Sequence, residues 1–151
     1  MTDRLFNSTF ENSLRILILL DEFDMPQTLD RLYAIDFMSL YGRTFGITDS
    51  DLNGDNEYKF SEFASHRELI RAALKELVLD GTAQAVGYVD GLAYIITSEG
   101  EDYCESLSSA YASEYRKSVK AVIAKTRSKS GRALISSIYN MSAETFAEEV
   151  E

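Results

Sequence analysis

Residues 49–63, DSDLNGDNEYKFSEF, alternate oxygen-bearing side chains around a glycine. That pattern in a calcium loop wraps a hard cation in carboxylates and carbonyls. Two registers are possible, and each departs from the pattern. Counted from Asp49, Gly54 falls at position six, but position twelve, which needs a bidentate Glu, is Phe60. Counted from Asp51, the residues Asn53, Asp55 and Glu62 fall at three, five and twelve, while position six is Asn56. Asn tolerates the left-handed turn required there, so the second register is damaged rather than excluded. The flanks weigh more. Gly42 and Gly46 interrupt the helix that should lead in, and no second loop exists to form the usual pair. The expectation is a polar loop without metal, in which Asp and Asn fold back on their own amides and Ser61 or Ser65 caps the next helix.

Other chemistry is sparse. His66 is the only histidine, which rules out a multi-histidine zinc site and a His-paired nucleophile, and its place beside Arg67 suggests an exposed helix face. No G-x-x-x-x-G-K-[ST] loop is present to cradle a triphosphate. Asp21 and Glu22 could in principle do acid–base work, but such pairs on an acidic surface mostly face solvent. Cys104 is the only cysteine, so an intrachain disulfide is impossible and the thiol reads as a small buried hydrophobe in a reducing, cytoplasmic compartment. The apolar run LRILILL is far shorter than a membrane span, and no membrane insertion or export is expected. These residues predict no enzyme, no cofactor and no small-molecule substrate.

The charge is unevenly distributed. The net charge is −10, yet residues 1–105 carry 8 Lys/Arg against 20 Asp/Glu, a balance of −12. Residues 106–132 carry seven basic side chains, Arg116, Lys117, Lys120, Lys125, Arg127, Lys129 and Arg132, against Glu114 alone. The last nineteen residues return to −4. Such a body repels nucleic acid over most of its surface and attracts it at one region.

The elements that carry these groups follow from caps and periodicity. Ser8 with Glu11 has capping-box spacing and opens a helix from about 9 to 23, whose nearly all-round apolar residues demand a central position. Thr28 caps a second helix that stops near Gly42. A third, SEFASHRELIRAALKELVLDG, buries Phe63, Leu69, Ile70, Ala73, Leu74 and Leu77 and stacks Arg67, Arg71 and Lys75 on one exposed face. After Gly81 the period becomes strand-like, with TAQAVGYV and LAYIIT joined at Asp90-Gly91 as a hairpin. One long helix is then predicted from Thr97 or Ser98, with Glu101 in capping-box position to Ser98, followed by a break at Gly131. A short helix carrying Leu134, Ile135, Ile138 and Tyr139 and a fraying acidic tail complete the chain.

Helix, helix, helix, hairpin, helix is the order of a winged-helix domain, and YIITSEGEDY resembles the exit from its wing. The fold class is therefore mainly α with a small β-hairpin (α+β). A winged-helix domain over residues 1–105 is followed by a C-terminal helical extension over 106–151. Tyr103, Leu107, Tyr111, Tyr115, Val119 and Val122 form a line longer than the body is expected to cover, a candidate partner surface. Arg67, Arg71, Lys75, Lys117, Lys120, Lys125, Arg127 and Lys129 are candidate nucleic-acid contacts. The alternative to an interaction module is a winged-helix transcriptional regulator that binds DNA.

LFNSTFENSLRILILLDEF, LYAIDFMSLYGRTFGI, LNGDNEYKFSEFASHRELIRAALKELVLDG and YIITSEGEDYCESL together resemble the small middle component of bacterial ABC-three-component systems. That family includes the corresponding subunit of Lamassu-type antiphage defence. The resemblance covers roughly residues 5–107. It implies an accessory subunit rather than an enzyme, docked on an SMC-like ABC ATPase and linked to an effector, often a nuclease, with DNA met only within the complex. It assigns no contact residues.

Overall fold

The Ser8 hydroxyl accepts a hydrogen bond from the Glu11 amide at 3.1 Å and starts the first helix, α1 (Thr9–Asp21). In this computed structural model, residues 8–150 are described except Asp55 and Asp90, with side chains up to Ala147. The apolar run of α1 does what its lack of a polar face requires: Ile16 to Leu20 are all at most 3% exposed. A two-residue strand, β1 (Gln27–Thr28), precedes α2 (Leu29–Leu40), which Thr28 caps through the Arg31 amide. Every residue of α2 from Leu32 onward is buried, because α1 and α3 (Lys59–Leu79) pack on it together with two later helices.

The hairpin is β2 (Ala83–Tyr88) and β3 (Gly91–Ile96), paired antiparallel from Ala83↔Ile96 to Tyr88↔Gly91. Gly91 therefore belongs to the last pair of the hairpin and not to its connection, where Asp90-Gly91 was expected. Asp90 itself lies outside the described residues. β1 adds a third strand that sequence periodicity was too short to reveal, pairing Gln27 with Tyr94 and Thr28 with Ala93 in the order β1-β3-β2.

α4 (Ser98–Glu105) leaves the sheet through Thr97, not Ser98: the Thr97 hydroxyl accepts from the Gly100 amide and donates to the Gly81 carbonyl at 2.7 Å. Gly100 is required at this contact, since a Cβ there would stand 2.7 Å from Ile96 and press on the Thr82 carbonyl. The long helix expected after the wing is two helices, α4 and α5 (Ala110–Thr126). The Ser106 hydroxyl donates to the Tyr103 carbonyl, and Ser109 receives the Ala112 amide as a new cap. Serines that satisfy backbone groups locally favour such a break over continued helix, and the break turns α5 back onto α2.

α6 (Gly131–Val150) also differs from the expectation, running as one helix where a short helix and a fraying tail were predicted. Glu151 lies outside the described residues. Ser130 caps α6 through the Ala133 amide, and the helix packs on α2. The approach is close enough that a Cβ on Gly131 would stand 2.6 Å from the Arg31 amide nitrogen. Tyr115, Val119, Val122, Leu134 and Ile138 join the residues of α1 to α3 in one continuous core. The protein is thus mainly helical with a small three-stranded antiparallel sheet, and among the described residues no helix is long and apolar enough to cross a membrane.

The loop between α2 and α3 is tied by its own polar groups. Asp51 receives the Thr44 amide on one carboxylate oxygen at 3.0 Å and the Thr44 hydroxyl on the other at 2.9 Å. The Asn56 side chain accepts from the Tyr58 amide and donates to Glu62 and to the Tyr41 hydroxyl. Gly46 and Gly54 supply positive φ angles of 69° and 73°. Phe45, Ile47, Leu52 and Phe60 then pack the loop onto the core. α3 begins at Lys59, without a side-chain cap. Ser61 instead donates to the carbonyl of Tyr58, just before the helix, and Ser65 to that of Glu62 within it, correcting the expected capping role.

Candidate functional site

At the centre of the core a charged pair replaces two apolar residues. Arg15 of α1 donates from Nε to Asp36 Oδ1 at 3.0 Å and from Nη2 to Oδ2 at 3.2 Å, with side chains at most 2% exposed. Arg15 Nη2 also donates to Asn12 Oδ1 at 2.7 Å, and the Tyr115 hydroxyl donates to Asp36 Oδ1 at 2.6 Å. Burial alone disfavours both charged forms. Mutual charge and hydrogen bonding outweigh it, holding Arg15 above and Asp36 below their ordinary values. Burial, reinforced by the Asp36 charge, pushes the Tyr115 hydroxyl well up. Both oxygens of Asp36 are occupied, so the cluster ties α1, α2 and α5 together rather than presenting a free base.

His66 of α3 stands at the edge of this cluster, half-buried rather than on the exposed face expected from its neighbour Arg67. Burial lowers its pKa, against the pull of the Asp36 carboxylate. With Arg15, Asp36 and Asn53 it lines a cavity of about 30 Å³, room for about one water and too little for a metabolite. Asp51 is committed to Thr44, and Asp55 lies outside the described residues. Among the described residues no three His, Cys, Asp or Glu side chains are grouped to hold a metal ion. Cys104 is buried with its thiol toward the Leu17 carbonyl, and burial pushes its pKa up to about 11.

The apolar line expected to face a partner divides. Tyr115, Val119 and Val122 are 0% exposed core residues, because the break before α5 folds their face onto α2. Leu107 is half-buried against the same core, and Tyr111 is half-buried. Tyr103, on α4, is 41% exposed. As a continuous exposed surface the line does not exist.

The basic residues also separate. Lys120 pairs with Glu22 at 3.2 Å, and Arg116, absent from the expected contacts, reaches Asp21 at 2.9 Å and Glu22 at 2.5 Å. Asp21 and Glu22 are therefore half-buried anchors for α5, not a solvent-facing acid pair. Lys117, Lys125, Arg127 and Lys129 remain exposed on α5 and the turn after it. On α3, Arg67 pairs with Asp30 at 2.8 Å and Arg71 with Glu68 at 3.4 Å, while Lys75 is exposed.

A broad groove of about 980 Å³ lies elsewhere, bounded by the start of α2, by Arg67 and Arg71 of α3, by Tyr88 and Leu92 of the hairpin, and by Arg132 at the start of α6. Arg31, also in its lining, is committed to structure: it donates to Gln27 and to the carbonyls of Thr126, the last residue of α5, and of Lys129 beyond it. Sequence periodicity placed Arg67 and Arg71 together. It gave no sign that Tyr88, Leu92 and Arg132, far apart along the chain, would face them.

The family described as ABC-three component (ABC-3C) system Middle Component 2 has a model that matches residues 5–148. No curated protein and no solved structure matches the chain.

Proposed function

Because the chain belongs to the Middle Component 2 family of ABC-three-component systems, we propose that it is the non-enzymatic subunit that docks on an SMC-like ABC ATPase and links it to an effector in a cytoplasmic, Lamassu-type antiphage complex. The observation that carries this reading is the family match across residues 5–148. Packing is consistent with it. The buried Arg15–Asp36 pair ties α1 to α2 in a rigid core on which a partner can dock. The order α1-β1-α2-α3-β2-β3-α4 with sheet order β1-β3-β2 is read as a winged helix, α3 holding the position of a recognition helix and β2-β3 that of the wing.

The test is co-expression with the proteins encoded beside it, followed by affinity capture on a tag carried by this chain. Stoichiometric recovery of an ATPase with an effector is the expected result. Recovery of the chain alone, under conditions where both neighbours are soluble, overturns the reading.

A winged-helix DNA-binding regulator is the second reading, favoured by Arg67, Arg71 and Lys75 recurring every four residues on α3. Sequence-specific, nanomolar duplex binding by the isolated chain at physiological salt would establish it.

A further inference from the structure

We propose that the groove between α3, the hairpin and the α5–α6 corner receives an acidic segment of a protein partner, carboxylates meeting Arg67, Arg71 and Arg132 while an apolar side chain rests on Tyr88 and Leu92. This rests on the reading of the chain as a protein-docking subunit and names the surface that does the docking.

Charge complementarity carries the inference. In a chain of net charge −10, the described lining holds Arg31, Arg67, Arg71 and Arg132 against Asp30 alone. Arg31 is consumed by the carbonyls of Thr126 and Lys129. Arg132 and Arg71 are the more available, and Arg67 is held in a part-exposed pair. Arg132 makes no ion pair among the described residues, and the Arg71–Glu68 pair is 55% and 73% exposed, weak enough to exchange for an incoming carboxylate. Arg67 holds Asp30 Oδ1 with Nε and Nη2 at 2.9 and 2.8 Å, in a pair 37% and 41% exposed and so also weak enough to exchange for an incoming carboxylate. Beside these cations Tyr88 and Leu92 are 55% and 57% exposed, and aromatic side chains combined with arginine are the composition of protein-binding hot spots. β1 pairs only with Tyr94 and Ala93, so the same edge of β3 is uncovered by β1 at Leu92 and Gly91.

Nucleic acid fits the groove less well. α6 lies beside α3, with the Tyr139 ring 5.6 Å from Phe63 and Arg132, Ile135 and Tyr139 facing Ala64 and Arg67 across a cleft. A major groove about 12 Å wide admits one helix of about 10–12 Å diameter, not two side by side.

The test uses the full-length chain, first alone and then with the proteins encoded beside it. A fluorescein-labelled peptide of alternating Glu and Leu should bind in a salt-sensitive manner. Arg67→Glu, Arg71→Glu and Arg132→Glu combined should weaken binding at least about tenfold. Lys117→Glu on α5 with Arg127→Glu just after it should leave it unchanged. If the triple variant fails to fold, Arg132→Glu with Leu92→Ser, both at exposed positions, takes its place. In the complex, a photo-crosslinker at position 88 should attach to a Glu/Asp-rich stretch of a partner. No peptide binding, or equal binding by groove and α5 variants, overturns the proposal. So do duplex DNA binding or self-association that the groove variant abolishes, which assign the groove to nucleic acid or to a second copy. If the complex assembles with the groove variant as with the native chain, the groove assignment falls while the proposed function stands. If the native chain captures no partner, the proposed function itself falls.

Discussion

Arg15 and Asp36, separated by twenty-one positions in the chain, meet in a two-pronged ion pair with no access to solvent. A charge pair of this kind contributes little net stability when intact, but removing one partner strands the other charge in the core.

Asp36→Ala or Arg15→Ala is therefore expected to cost about 3–5 kcal/mol, whereas Arg15→Met combined with Asp36→Leu should recover most of that loss. Urea unfolding of the three variants measures it. A double variant as unstable as the singles would contradict the account. The pH dependence follows from the depressed pKa of Asp36. Its contribution is fully present above the unfolded carboxylate value of about 3.9 and is lost as pH falls through the lower folded value.

Tyr115 fills the core and donates to Asp36, so Tyr115→Phe should cost about 1–3 kcal/mol and Tyr115→Ala about 3–5 kcal/mol. Tyr103→Ala, at an exposed ring, should leave the melting temperature nearly unchanged. Equal effects at the two positions would mean that α5 is not packed as described.

His66 is held below its ordinary pKa in the folded chain, by burial, with Arg15 opposing protonation and Asp36 and Glu62 favouring it. The unfolded chain takes up the proton first, so stability should fall as pH drops from about 6.5 toward the folded value. His66→Gln should flatten the melting temperature between about pH 7 and pH 5. A native-like slope in that variant would assign the titration to another group.

Gly131 lets α6 approach the first turn of α2, and a Cβ would meet the Arg31 amide nitrogen at 2.6 Å. Gly131→Ala is expected to cost about 1–3 kcal/mol and to raise amide exchange along α6 more than along α1. Uniform exchange across the chain would show that the helix does not depend on this contact.

How much was legible beforehand differs from element to element. Ser8, Thr28, Gly81 and the apolar spacing of α1 and α3 act over a few residues, so those helices and the hairpin could be read directly. Resemblance to the family rested on equally local strings. His66 was placed on an exposed face because its charged neighbour Arg67 suggested one, whereas both residues are half-buried, His66 beside Asp36 and Arg67 paired with Asp30. The hairpin turn was placed too late, since Gly91 already pairs with Tyr88, and the break at Ser106–Ser109 was not foreseen at all, because apolar spacing continues across it and only local serine bonding marks it. Everything that depends on long-range approach was decided only by the tertiary structure: the burial of Tyr115, Val119 and Val122, the pairing of Arg15 with Asp36, and the meeting of Arg67, Leu92 and Arg132 around one groove. Periodicity specifies which face of a helix is apolar; which neighbour covers that face depends on the bend between α4 and α5 and on the close contact at Gly131, and neither leaves a repeating signal along the chain.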